Sequence, residues 1–137
     1  LIGQRKKLRE LFSKNISLDP KEITVTSMDE KFLNEVLALF EERYSDSEFG
    51  VPQMQKELLM SNTQLHLKLK ALTNHPPGEL LRNFRLKRAT QLLSQKADNI
   101  SQVAYDVGFN SLSYFTKCFK ALYGISPTNY KNSPSNF

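Results

Sequence analysis

Two sets of side chains stand 50 residues apart in this 137-residue chain: Thr63, His66, Leu67 and Lys70, then Ser113, Thr116, Lys117 and Lys120. Within each set the spacing is i, i+3, i+4, i+7, which gathers four side chains on one face of a helix. Hydroxyl, imidazole and ammonium groups arranged this way donate and accept hydrogen bonds and carry positive charge. That chemistry suits base edges and phosphates in a DNA major groove. It does not suit covalent catalysis. No nucleophile–base pair can be placed, and the five glycines are dispersed rather than gathered in a phosphate-cradling loop. His66, His75 and Cys118 lack the spacing of a metal site. Neither an enzyme nor a cofactor is expected.

The helices that would carry these sets start after abrupt turns. In "DVGFNSLSYF", residues 106–115, a glycine breaks a helical pattern for only a few residues before Ser111 can cap the next helix. The same design occurs earlier. At an offset of 49, Val51, Met54, Glu57, Leu58 and Met60 match Ile100, Val103, Asp106, Val107 and Phe109. At an offset of 50, Ser61, Leu65, Leu69, Lys70, Leu72 and Pro77 match Ser111, Phe115, Phe119, Lys120, Leu122 and Pro127. One extra residue therefore stands between Phe109 and Ser111. Each copy reads as a short helix, a tight turn, a second helix and a proline-containing stop, a helix-turn-helix written twice. Phe115, Cys118, Phe119 and Leu122 form the inward stripe of the second copy, and Leu65, Leu69 and Leu72 that of the first.

The rest of the chain reads as all-α around this repeat. A helix is expected over 1–13, then an extended linker containing Pro20. A helix over 28–44 follows, capped by Ser27 with Glu30 completing a capping box. Pro52 suits the first turn of the next short helix. Helix 78–94 joins the copies, with Leu81, Phe84, Leu86, Ala89, Leu92 and Leu93 as its apolar residues. A last short helix runs from Ser126–Pro127 to Lys131.

Charge divides the chain. Residues 1–50 hold 8 Lys/Arg and 10 Asp/Glu, whereas residues 51–137 hold 11 and 4, so the net +5 comes entirely from the repeated part. Basic charge confined there suggests a surface facing a polyanion, or a solvated charged face. One cysteine excludes an internal disulfide and makes a reducing compartment the default. No apolar run approaches a membrane span. The chain begins with Leu1 rather than Met, which suggests a piece of a longer polypeptide.

The stretches "RLKRATQLL", "ISQVAYDVGFNSLSYFTKCFK" and "YGISPTNYK" resemble the DNA-binding domain of AraC/XylS-type transcription regulators, over roughly residues 28–131. The resemblance implies two helix-turn-helix units, about 28–76 and 100–131, joined by the linking helix 78–94, with a tail over 132–137. It implies double-stranded DNA as partner, read in two successive major-groove segments by helices 61–72 and 111–122, together with the transcription machinery. Carried over by position, Asn62, Thr63, His66 and Lys70 are the first reader's candidates. Ser113, Tyr114, Thr116, Lys117 and Lys120 are the second's. Where family members often place Arg, this chain has Leu67. A leucine cannot hold a guanine or a phosphate, which leaves a thymine methyl or a first unit that reads less than the second. Residues 1–27, within "LIGQRKKLRELFSKNISLDPKEITVTSMDEKFL", look like the segment between a receiver and the output domain of hybrid two-component regulators. Upstream receiver and kinase domains, cytoplasmic location and a parent tethered to the inner membrane are what that implies. The fragment alone is expected to be monomeric, with dimerisation left to the intact, phosphorylated protein.

Individual residues also admit plainer roles. Lys117 and His66 contact DNA or are solvated surface groups, and Tyr114 meets a phosphate or packs at the rim. Ser61 and Ser111 are caps first, with phosphate contact through their helix N–H groups as a second role. Arg82 and Arg88 divide between phosphate contact and solvent. Arg85 is expected in a structural ion pair fixing the two units, with Asp106 its candidate partner. Cys118 is expected to be a buried packing residue, and Gly108 to supply a backbone conformation that other residues resist. The competing reading of the whole is a helical protein-interaction module whose basic face meets an acidic partner.

Overall fold

The computed structural model describes residues 26–95 and 99–133. All regular structure among them is helical: α1 (Ser27–Arg43), α2 (Val51–Leu58), α3 (Asn62–Thr73), α4 (Pro77–Gln95), α5 (Ile100–Asp106), α6 (Leu112–Tyr123) and α7 (Pro127–Asn132). The helix expected over 1–13 and the linker after it lie outside the described residues. So does the tail beyond Ser133.

Most helix starts follow from local side chains. Ser61 and Gln64 cap α3 reciprocally: Ser61 Oγ accepts from the Gln64 N–H at 3.1 Å, and Gln64 Oε1 accepts from the Ser61 N–H at 3.0 Å. Ser111 Oγ accepts from the Tyr114 N–H at 3.2 Å at the start of α6. The cap of α1 differs from expectation. Thr26 and Asp29, not Ser27 and Glu30, form the capping box, with both bonds at 3.1 Å. The two overlapping pairs fit the same pattern. β-Branched Thr26 suits the extended backbone an N-cap requires (φ −82°, ψ 170°), so the helix starts one residue early.

The repeat is exact at the level of backbone bonds. In the first turn Leu59 N–H donates to Lys56 O and Met60 N–H to Gln55 O. In the second, Gly108 N–H donates to Tyr105 O and Phe109 N–H to Ala104 O, each 49 residues later. The C-caps of α3 and α6 also match, with Asn74 and Gly124 left-handed and bonded to Lys70 O and Lys120 O. Asn110 is the inserted residue.

The packing forms two cores on one shared helix. Leu80, Leu81 and Phe84 of α4 join a cluster with α1, α2 and α3, centred on Phe40, Met54, Leu65 and Leu69. Leu86, Ala89 and Leu93, further along α4, join a second cluster with Val103, Phe115 and Phe119. Because α4 is buried on successive sides, its apolar residues are spread round the helix, with polar residues between them, rather than gathered in one stripe. Tyr44, just past α1, packs against both clusters.

At Tyr44 the units are locked together. Arg85 donates from Nε to Tyr44 O and from one terminal nitrogen to Asp46 O and Phe49 O, each at 2.9 Å. The partner expected for it, Asp106, instead accepts from Gln102 Nε2 at 2.8 Å on its own helix. The loop after α1 turns three carbonyls toward the linking helix, and the planar guanidinium fork donates to all three. Burial pushes the Arg85 pKa below the usual guanidinium value and the Asp46 carboxylate pulls it back up. The group remains charged at neutral pH. Gly108 closes the joint from the second unit. Its φ is +98°, and a Cβ there would fall on the Tyr44 carbonyl oxygen and 2.7 Å from Arg85 Nε. Arg88 is engaged beside it, paired with Glu41 and stacked on the Tyr44 and Phe84 rings at 5.6 and 5.3 Å.

The matched turns yield opposite expectations for one kind of change. Leu59, at φ +55° and 90% exposed, holds a left-handed conformation with little packing in return. Leu59→Gly is expected to stabilise the fold by about 1 kcal/mol, read as a higher urea midpoint at unchanged slope. Gly108→Ala is expected to destabilise it by about 2–4 kcal/mol. Replacing Arg85 by Met leaves the Tyr44 and Phe49 carbonyls without the guanidinium donor, while Asp46 O keeps the Phe49 N–H, and should cost about 2–3 kcal/mol. A midpoint unchanged in that variant would show that water takes over the three bonds.

Candidate nucleic-acid interface

The outward faces of α3 and α6 hold the predicted readers. Asn62, Thr63, His66 and Lys70 of α3 are all exposed, as is Ser61 before it. On α6, Ser113, Tyr114, Lys117 and Lys120 are exposed, while Thr116 and the cap Ser111 are half-buried. The inward stripes do what the periodicity required: Leu65 and Leu69 in α3, and Phe115 and Phe119 in α6, are fully buried. Each reading face is therefore set by the core on its other side. Among the described residues Lys70, Lys117 and Lys120 make no ion pair, so their charge is available to an anion.

The two faces differ in chemistry. Leu67 is 67% exposed at the position that Lys117 holds in the second unit. The apolar surface of the first reader faces outward without covering anything in the fold. Lys68, whose repeat partner is the half-buried Cys118, turns sideways and places Nζ 4.5 Å over the Phe32 ring. Tyr114 stacks at the rim, 6.0 Å from the Phe109 ring, and stays half-exposed. Both roles foreseen for it fit that placement.

The three arginines of α4 part company. Spaced every three residues, they look like one basic stripe. The structure sends Arg85 into the joint and Arg88 to Glu41, and leaves Arg82 half-buried beside α6. There Arg82 lines a groove with Asn83, Tyr114, Lys117 and Cys118. Cys118 packs on the second core but is half-buried rather than enclosed, with one side on this groove. Asn83 escaped the sequence reading. It lies in the run "LLRNF", and a polar residue three positions after the buried Leu80 was the available signal. Leu112, exposed at the first position of α6, is also on the outer surface, where the first unit has Asn62.

Known proteins share this arrangement. Residues 54–133 match a family model described as a helix-turn-helix domain. The chain is 39% identical over 132 residues to histidine kinase P4 of Formosa agariphila, a match covering 96% of this chain and 10% of that protein. It is 34% identical over 82 residues to the HTH-type transcriptional activator RhaS of Mannheimia succiniciproducens, covering 60% of this chain and 31% of that one. The chain thus spans about a tenth and about a third of these relatives' lengths. The crystal structure of the C-terminal domain of the two-component response regulator yesN from Fusobacterium nucleatum superposes with a TM-score of 0.70 at 27% identity, over 74% of this chain and 99% of that domain. Two matched helix-turn-helix units on one linking helix, and these likenesses, show that the chain belongs to the AraC-type helix-turn-helix family of transcription regulators.

Proposed function

We propose that this chain is the DNA-reading output part of a phosphorelay-controlled transcription regulator, and that α3 and α6 read two successive major-groove segments of one duplex. The observation that carries the reading is the pair of exposed polar and cationic faces, repeated at an offset of 50 residues and held out by two cores on a shared helix. A single copy carries both readers, so a monomer suffices for binding. Lys117 and Lys120 supply cationic contacts in the second unit, and Lys70 with His66 in the first. Ser113, Thr116, Asn62 and Thr63 supply short hydrogen-bonding groups close to the helix N-termini. Arg88 is left out of the interface because its guanidinium is engaged with Glu41.

Control by a phosphorelay is supported by the likeness to histidine kinase P4, which extends over 96% of the chain and so past the helix-turn-helix match. Kinase and receiver activity would belong to other parts of a longer parent. No helix among the described residues is long and apolar enough to cross a membrane, and a DNA partner requires this part to face the cytoplasm even where the parent is anchored.

Selection from random-sequence duplexes at physiological salt tests the reading. Two short enriched elements about one helical turn, ~34 Å, apart are expected, with a specificity ratio of ~10³ or more over scrambled duplex. Weak, steeply salt-dependent binding without an enriched sequence would hand the basic face to an acidic protein partner instead. On the selected duplex, Lys117→Ala is expected to lower the slope of log K against log salt by about 1 if the lysine meets a phosphate, or to relax one position by ~1–3 kcal/mol if it meets a base. Neither change would remove Lys117 from the interface. Leu67→Lys is expected to raise affinity and steepen the salt slope by up to about 1; an affinity that drops together with a thymine preference would show that the leucine reads a methyl group.

A further inference from the structure

Glu79, Arg82 and Asn83 of α4 stand across a groove of about 370 Å³ from Tyr114, Lys117 and Cys118 of α6. Its polar groups are unevenly satisfied. Glu79 Oε1 lies 3.1 Å from His75 Nδ1, an ion pair whenever the imidazole is protonated. Arg82 and Lys117 make no ion pair or side-chain hydrogen bond among the described residues. Asn83 is the sharper case. The residue is only 4% exposed, yet its carboxamide makes no hydrogen bond among the described residues and borders this groove. Its carboxamide atoms are not themselves enclosed, so they open on the groove and can bond whatever occupies it.

We infer that this groove seats a backbone phosphate of the bound duplex, held by Arg82, Asn83 and Lys117 with the Tyr114 hydroxyl at its rim. The inference rests on the DNA reading above. The donor set specifies the ligand class. Two cations, an amide NH₂ and a phenol O–H offer several donors to one small group, and the Glu79 carboxylate beside them is turned to His75. That suits an anion with several acceptor oxygens. A phosphodiester is favoured over a free phosphate because the groove is open along α6 and Lys117 belongs both to it and to the outward reading face. When two helices occupy successive major-groove segments, the backbone between them passes the linking helix, and α4 is that helix. The seat makes the linking helix part of the interface. It fixes register between the readers without reading sequence.

Neutralising one phosphate at a time with methylphosphonate, across the spacer and the edges of the second element of the selected duplex, tests the seat. The wild-type chain is expected to lose about tenfold in affinity at one or two positions. Arg82→Gln and Asn83→Asp chains are expected to be weaker by a similar factor on the native duplex, with unchanged sequence preference, and to lose nothing further at those positions. Arg82→Gln alters a half-exposed residue and keeps the test valid if Asn83→Asp impairs folding. Equal losses in wild type and Arg82→Gln at every phosphate would overturn the seat while leaving the bipartite reading intact. Saturable shifts of the Asn83 carboxamide resonances on titrating the free chain with millimolar inorganic phosphate would make the groove a free-phosphate pocket and overturn the duplex assignment. Absence of any sequence preference in the wild type would overturn the DNA reading and the seat together.

Discussion

One guanidinium decides how the two halves of this molecule sit. Arg85 donates to the carbonyls of Tyr44, Asp46 and Phe49, all in the loop that follows α1. The arginine itself belongs to the helix shared by both cores. Tyr44 caps the end of α1, where helix geometry leaves acceptors unfilled, and the other two carbonyls belong to the loop beyond it, Asp46 O also taking the Phe49 N–H. The fork that fills them also becomes the surface against which Gly108 rests. A turn of the second unit thereby touches a loop of the first across a helix of neither. The joint depends on close approach, so it needs arginine on one side and the absence of a side chain on the other.

That constraint makes sense of the unequal turns. Both units use the same backbone bonds at the same offset, yet the left-handed position is Leu59 in one and Gly108 in the other. The first turn faces solvent and tolerates a strained leucine. The second faces the joint, where a Cβ would meet the Tyr44 carbonyl. Local geometry was duplicated, and only the surroundings made one copy strict. The reading faces show the same pattern: equivalent positions are exposed in both units, but Leu67 and Lys117 give them different chemistry.

A double reader also needs a spacer that does not flex. Here it is α4, whose successive stretches are buried in different cores and whose polar residues are drawn into separate tasks. Arg85 serves the joint, Arg88 pairs with Glu41 over aromatic rings, and Arg82 and Asn83 turn to the groove beside α6. Stiffness between readers fixes the separation at which two DNA elements can be met at once, and it lowers the ordering cost of engaging the second after the first.

Much of this was legible in the residues alone. All seven described helices were located to within a residue or two, the long ones because they bury apolar residues at helical spacing and the short ones through caps and prolines, and the offset of 49 to 50 residues disclosed the doubled unit. The reading faces followed from the same stripes, since a side chain opposite a buried leucine or phenylalanine points outward. Local capping was less decisive: Thr26 with Asp29 and Ser27 with Glu30 satisfy one pattern, and pattern cannot rank them. What lay beyond the sequence was every pairing between distant segments. Arg85 has an acid, Asp106, in the neighbouring turn that looks suitable, but its partners are carbonyls 36 to 41 residues away. Backbone acceptors carry no residue identity, so nothing in the sequence marks them. Asn83 was overlooked for a related reason. Its place on the groove beside two cations is a property of packing, and a polar position within an apolar run was the one sign of it.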